Sequence, residues 1–271
     1  MIDVKKTFLK LTTKLYPYGT EDEIIDLLTE FHFQKDEFGN YFIIVKKDDN
    51  TFSDTMFTCH LDTVLTKLTY VDKSLKVKQI EYDDFIKTDG SSNLGADDKA
   101  GLVVLLYMIS ENVPGLYYFF IGEEIGRLGS DDLSKKFNKY VNNGILPKIN
   151  RCISFDRRGY NMITTAQQRR KCCSDFFAKE IARRYNEYGF WYDTDDNGGR
   201  TDSYQFINLI PECTNISVGY FNEHTVSEVQ DIEFLKLLCL TSSKINWDDL
   251  PTKRKILDYD MLDREYNKWF Y

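Results

Sequence analysis

The sequence predicts an α/β fold in which a single mixed β-sheet is flanked by helices on both faces. Three observations lead there. Short apolar runs of strand character alternate with helix-like stretches over most of the chain, the pattern of a sheet covered by helices. The 271 residues, 42% of them hydrophobic, are enough for one α/β domain to bury a sizeable core. No internal repeat, low-complexity tract or linker divides the chain, so one domain over residues 1–271 is expected.

Taken in order, Thr20 followed by EDEIIDLLTEF reads as a capped amphipathic helix whose acidic first turn complements the helix dipole. A turn at Phe38, Gly39 and Asn40 feeds the strand YFIIVK, and TMFTC, before His60, is the next strand. Residues 70–90 alternate apolar and polar positions, which predicts a hairpin. Asp98 to Ser110 is almost wholly apolar and predicts a buried helix. LYYFFI leads into Glu123 and Glu124, and RCISF leads into Asp156. Asp175 to Tyr188 is a helix capped by Ser174 and stopped at Gly189. CTNISV is a strand before His224, and Ile232 to Lys244 is a core helix. Beyond Trp247 the tail spaces Leu262, Tyr266 and Trp269 at helical intervals, so it is expected to fold back on the body or on a partner.

A net charge of −8 argues against nucleic acid or an anionic membrane as the main partner. The six cysteines lie mostly inside apolar runs and read as buried thiols of a reducing compartment. The N-terminus lacks the apolar core of a signal peptide, and no run approaches the span of a bilayer, so a cytoplasmic location is expected.

The chemistry concentrates at His60, Asp97, Glu124, Asp156 and His224, in the segments HLD, GADDKAG, GEE, SFD and NEHT. Two of the chain's three histidines fall in this set. One imidazole with one or two carboxylates per ion, and a carboxylate shared between, is the donor set that a pair of zinc-like ions takes. Apart from Asp97, these residues follow short strands, and the carboxyl edge of an open α/β sheet is where ligands bind.

Each motif also has a plain reading. His60 is by itself a structural histidine, and Asp97 a helix cap. In GEE, however, two glutamates after a fully apolar strand repel unless a cation or a shared proton compensates. The functional reading makes Glu124 a ligand and Glu123 the general base that takes a proton from water. Asp62, two positions beyond His60, is placed to orient the imidazole. Arg157 and Arg158, with Arg169 and Arg170 further on, offer a fork for a substrate carboxylate, and Arg200 is a further candidate substrate contact, with a solvated basic patch as the plain alternative. The segment NGGRTDSYQF, residues 197–206, reads first as a turn before a helix capped by Thr201 or Asp202, with a cradle for a substrate backbone as the functional alternative.

In order and spacing these segments resemble the zinc-dependent exopeptidase superfamily of two-zinc aminopeptidases, carboxypeptidases and tripeptidases. YPYGTEDEIIDLL with KDEFGNYFI is similar to the family's opening helix and Gly-Asn strand, and the likeness covers roughly residues 5–245, leaving an extension over about 246–271. The resemblance implies a phosphorylase/hydrolase-like fold, His60 and His224 as terminal ligands on opposite metals, Asp97 as the bridge, and Glu124 and Asp156 as the remaining ligands. It also implies Asp62 as the orienting carboxylate and Glu123 as base. Residues alone leave Asp97 and Asp98 interchangeable; the family's bridging Asp takes the first place. GADDKAG with HLDTV is most similar to a branch whose members often carry a lid domain, which needs roughly 100 residues. Only 68 positions (224 − 156) separate Asp156 from His224, so a compact, lid-less form is expected.

The expected function is a two-metal hydrolase of a terminal peptide bond, an aminopeptidase or small-peptide hydrolase. Its cofactors would be two divalent ions, zinc first and manganese or cobalt as alternatives, its substrate a peptide or small amide, and its assembly a homo-oligomer. The alternatives are a deacylase or carboxypeptidase acting on N-acyl amino acids or a modified metabolite, and a binding protein on an inactive peptidase fold.

Overall fold

Apolar, β-branched and aromatic runs become strands, and the most apolar of them take the centre of the sheet, where both faces are covered. The computed structural model describes residues 2–67 and 75–256. Its strands are β1 (Gln34–Lys35), β2 (Tyr41–Val45), β3 (Thr55–His60), β4 (Gln79–Tyr82), β5 (Phe85–Thr88), β6 (Gly115–Phe120), β7 (Arg151–Arg157), β8 (Met162–Thr164), β9 (Ala166–Gln167), β10 (Arg170–Lys171), β11 (Asp193–Asp195), β12 (Glu212–Ser217), β13 (Tyr220–Phe221) and β14 (Val229–Asp231). The main sheet has the order β1-β2-β6-β3-β7-β12-β8-β11. β6, β3, β7 and β12 run parallel at its centre, and β2 closes antiparallel on β6. Every residue of β3, β6 and β12 is buried. A smaller antiparallel sheet, β13-β14-β5-β4, stands beside the site.

The helices are α1 (Val4–Leu11), α2 (Asp22–Asp26), α3 (Ala96–Ser110), α4 (Leu128–Asn142), α5 (Asp175–Asn186) and α6 (Ile232–Ser242). α3 is apolar all round, with Leu102 to Leu106 fully buried, because it lies on β3 and β7 and is itself backed by α1 and α6. Successive side chains of a strand point to opposite faces. On β6, Phe119 meets the ring of Phe33 at 5.1 Å while Phe120 stacks on Phe206 at 6.0 Å, so both faces are covered. The mixed sheet between helices is the fold that the alternation of runs predicts.

Some elements differ from expectation. The helix after Thr20 is confined to α2, and the Thr20 hydroxyl donates to Pro17 O instead of capping it. Short bonds from Leu27 N to Ile24 O and from Leu28 N to Ile25 O tighten the chain there, and the buried Leu28 and the packed Phe33 then draw it onto the sheet. Local propensity is overridden by tertiary packing. α1 and α4 are helices that the sequence reading left unassigned; α1 buries Val4, Phe8 and Leu11 at helical spacing and is capped by Asp3. The hairpin over residues 70–90 is present as β4 and β5, with residues 68–74 outside the described part. The expected tail stripe of Leu262, Tyr266 and Trp269 also lies outside the described residues. α5 is capped by the Ser174 hydroxyl, which accepts from Phe177 N at 3.2 Å, and Gly189 beyond its end takes a φ of +89°. Among the described residues no helix is long and apolar enough to cross a membrane. All six cysteines are buried free thiols.

One buried carboxylate ties the start of β12 to two distant segments. Glu212, with no solvent exposure, accepts from Ser174 N (2.6 Å) and Ser174 Oγ (2.9 Å), and from Lys253 N (2.6 Å) and Arg254 N (2.9 Å). Bonds to an ionised acceptor contribute about 1.5–3 kcal/mol each, and several amides would be left unpaired without it. Glu212→Ala should therefore lower the unfolding free energy by about 3 kcal/mol in urea titrations. A loss below about 0.5 kcal/mol, the scale of an ordinary surface substitution, would remove this role.

Candidate metal centre

Five segments converge at the carboxyl ends of the central strands. His60 is the last residue of β3, Glu123 and Glu124 follow β6 after Gly122, Asp156 lies in β7, and His224 sits in the loop after β13. Asp97 enters from the start of α3, where its own φ of −79° and ψ of 104° are not helical.

The donors form two groups of three. His60, Asp97 and Asp156 are one and Asp97, Glu124 and His224 the other, with ligand atoms in each group within 4.8 Å of one another. Asp97 belongs to both. His60 Nε2 lies 3.1 Å from Asp97 Oδ1, and His224 Nε2 lies 3.0 Å from Asp97 Oδ2, so the two oxygens face opposite ways. His224 Nε2 is also 2.9 Å from Glu124 Oε1, and His60 Nε2 is 3.7 Å from Asp156 Oδ1. Asp98 turns away from the cluster: its carboxylate accepts from His60 N at 3.3 Å and from Gly101 N at 3.0 Å. His224 holds a left-handed φ of +63°, a conformation a non-glycine residue keeps only when its surroundings impose it.

The surrounding residues fix this arrangement. Asp62, fully buried, accepts from the amides of Glu123 (2.9 Å) and Glu124 (3.0 Å), tying the HLD loop to the GEE loop. The Nδ1 atom of His60 is 3.1 Å from the backbone carbonyl of Asp62 and 3.5 Å from its carboxylate. Asn215 grips the backbone of Asp156 on both sides, and Tyr220 OH donates to Asp156 Oδ1 at 3.2 Å. The Thr201 hydroxyl donates to Asp156 Oδ2 and makes no cap bond, although Thr201 does begin a short 3-10 turn over Asp202–Phe206. Lys99, 1% exposed, reaches Leu61 O and Thr63 Oγ1. Glu228 accepts from Leu94, Gly95 and Asp97. The sequence reading missed Asn215, Tyr220, Lys99 and Glu228, since no local pattern distinguishes a buried polar residue that serves another loop from an exposed one.

The electrostatics call for cations. Burial raises the carboxyls of Glu124 and Asp156, and pushes that of Glu123 up to about 9. Burial also opposes ionisation of Asp97, yet the two imidazoles hold it below the usual carboxylate range. His224, bonded to Asp97 and Glu124, is pushed up to about 11, so the acid cluster draws positive charge onto its histidines. A set of one imidazole nitrogen and two carboxylate oxygens, twice over and sharing one residue, fits divalent ions of the zinc type and leaves coordination positions open.

The cleft over these groups measures about 360 Å³ and is also lined by Glu123, Arg157, Arg158 and Arg200. Arg157 is committed elsewhere: its guanidinium donates to Thr164 Oγ1 and pairs with Asp195. Arg158 is largely exposed and reaches Glu223 at 3.0 Å, whereas Arg200 bonds Gln168 through Nε and lies 5.2 Å over the Tyr204 ring.

Known structures share this architecture. The aminopeptidase PepT from Bacillus cereus superimposes with a TM-score of 0.68 at 17% identity, covering 89% of this chain and 96% of that one. A tripeptidase from Staphylococcus aureus gives 0.66 at 19% identity, covering 89% and 96%. The Pyrococcus horikoshii TET1 peptidase, which can assemble into a tetrahedron or a large octahedral shell, gives 0.68 at 15% identity, covering 89% and 98%. The fold is that of these peptidases. Within this peptidase fold the sequences have diverged far, and no family model matches the chain. The uncharacterized protein YqjE of Bacillus subtilis is 32% identical over 149 residues, 52% of this chain, and the match spans 36% of that protein's length.

Proposed function

We propose that the chain is a two-metal exopeptidase that hydrolyses the terminal amide bond of small peptides. The supporting observation is the pair of three-donor groups sharing Asp97 at the floor of a cleft, with Glu123 beside them but in neither group. His60, Asp97 and Asp156 would hold one divalent ion and Asp97, Glu124 and His224 the other, zinc being the first choice for such donors. Bound there, the ions would supply Lewis-acid polarisation of the scissile carbonyl and charge balance for the carboxylates.

The chain's own groups supply the rest. Glu123 takes a proton from the attacking water on a carboxylate oxygen and later delivers it to the leaving amine. Asp62 holds the Glu123 and Glu124 amides in place, so base and ligand keep a constant offset. A cleft of about 360 Å³ lies near the small end of ligand pockets, which suits a dipeptide or tripeptide. A cytoplasmic location and a homo-oligomeric state belong to the same proposal, the first supported by six unpaired buried thiols.

Turnover of dipeptides, tripeptides and their N-blocked analogues, with zinc, manganese or cobalt added and bound metal quantified, tests the reading. Free peptides should be cleaved and blocked ones spared. Cleavage of N-acyl amino acids instead would make the chain a deacylase, and bound metal without any turnover would make it a binding protein.

Substrate anchoring is proposed for Arg158 and Arg200, whereas Arg157 is bound within the sheet. Arg200→Ala should raise KM for free-carboxylate peptides by about 10-fold or more, one lost charged hydrogen bond, and leave KM for the peptide amides nearly unchanged. Equal effects on both substrates would remove the assignment, and the same comparison applies to Arg158→Ala.

A further inference from the structure

Four residues beyond His224, the side chain of Glu228 is almost fully buried, at 1% exposure, and turns back to the loop that carries Asp97. Its Oε2 accepts from Leu94 N and Gly95 N at 2.8 Å each, and its Oε1 accepts from Asp97 N at 3.0 Å. Among the described residues no lysine, arginine or histidine forms an ion pair with it. The carboxylate is spent on three backbone amides.

Those amides have no other acceptor to use. They lie at or before the N-terminus of α3, where N–H groups lack intrahelical partners, and Asp97 itself is outside helical geometry. The loop is closely packed here: Gly95 has a φ of +74°, and the place a Cβ would take lies 3.2 Å from the Thr63 methyl. On the other side, Glu228 N donates to Thr225 O at 3.2 Å, and Thr225 Oγ1 donates to Asn222 O at 2.7 Å across His224, so Glu228 closes the turn that directly follows the one carrying His224. A shift of this residue moves the imidazole.

We propose that Glu228 is a positioning residue that locks the His224 loop to the Asp97 loop, so that both present their donors to one ion. The inference rests on the two-metal reading above. Its chemistry is specific to a carboxylate, because glutamine offers one acceptor oxygen and an amide that would oppose an N–H donor on one side or the other. Loss of such an outer partner typically weakens metal binding by about 10- to 100-fold.

Cobalt titration of the metal-free protein, followed by visible absorption and calorimetry, tests this. The unmodified chain should take up two equivalents. In E228Q the equivalent that is also lost in His224→Ala should weaken by about 10- to 100-fold, and by clearly more than the other, which keeps His60 and Asp156 and shares only Asp97 with it. E228D, with both acceptor oxygens on a shorter side chain, should weaken the same equivalent by less, and it decides the matter if E228Q does not fold. Two equivalents bound to the variant as tightly as to the unmodified chain overturn the role of Glu228 and leave the two-metal reading intact. Equal weakening of both equivalents, in step with a lower melting temperature of the metal-free protein, overturns it too, since that is what a loosened fold would give. No cobalt uptake by the unmodified chain overturns the two-metal reading itself.

Discussion

Glu123→Gln should keep both metal ions while kcat falls by about 10²-fold or more and KM changes little. Glutamine has nearly the same shape and retains the amide that Asp62 holds, so the neighbouring Glu124 stays where it is. Only the capacity to take a proton disappears. Glu124→Gln should fail differently, because its Oε1 lies 2.9 Å from His224 Nε2 within a three-donor group. Removing that charge should reduce affinity for at least one ion, and excess metal should restore part of the activity. Metal analysis beside steady-state kinetics separates the two variants. An emptied site in Glu123→Gln with a full one in Glu124→Gln would exchange the roles, and normal hydrolysis in both would end the mechanism.

Gly101→Ala should destabilise the protein by more than about 3 kcal/mol, against the sign expected from helix propensity. In an exposed helix the change from glycine to alanine stabilises by up to about 1 kcal/mol. Here an added Cβ would lie 1.9 Å from the Phe155 carbonyl oxygen and 2.5 Å from Asp98 Oδ1. Backbone cannot step aside as a flexible side chain can, so α3 and β7 would have to separate. Phe155 precedes Asp156, and Asp98 holds the His60 amide, so the displacement reaches the cluster of candidate donors directly. Urea unfolding and bound-metal measurements should show both losses together. A variant as stable as the parent would mean that the close packing of α3 on β7 is not required.

Much of this was legible in the sequence because it rests on local signals. Apolar runs specified the central strands β3, β6, β7 and β12, and the wholly apolar stretch after Asp98 specified α3, since those patterns follow from burial on every side. The Ser174 cap could be read because a cap is a contact between residues three apart. The GEE pair stood out because two adjacent acids after an apolar strand have few neutral explanations. The short α2 was not legible: its residues have the pattern of a longer helix, and only the burial of Leu28 and the packing of Phe33 against Phe119 end it early.

By itself, the sequence determined the α/β class, the order of the strands that carry the candidate ligands, and the residue types gathered at their ends. It left Asp97 and Asp98 equivalent, offered Thr201 or Asp202 as a helix cap and offered Arg157 as a substrate fork. Tertiary structure supplied the partners of all three. Asp97 faces both histidines while Asp98 turns to the His60 and Gly101 amides, Thr201 donates to Asp156, and Arg157 pairs with Asp195. The physical reason is common to them: a polar side chain leaving solvent takes whichever partner the fold brings within hydrogen-bond reach. For these residues the partner lies on another strand or loop, at a separation that no local pattern encodes.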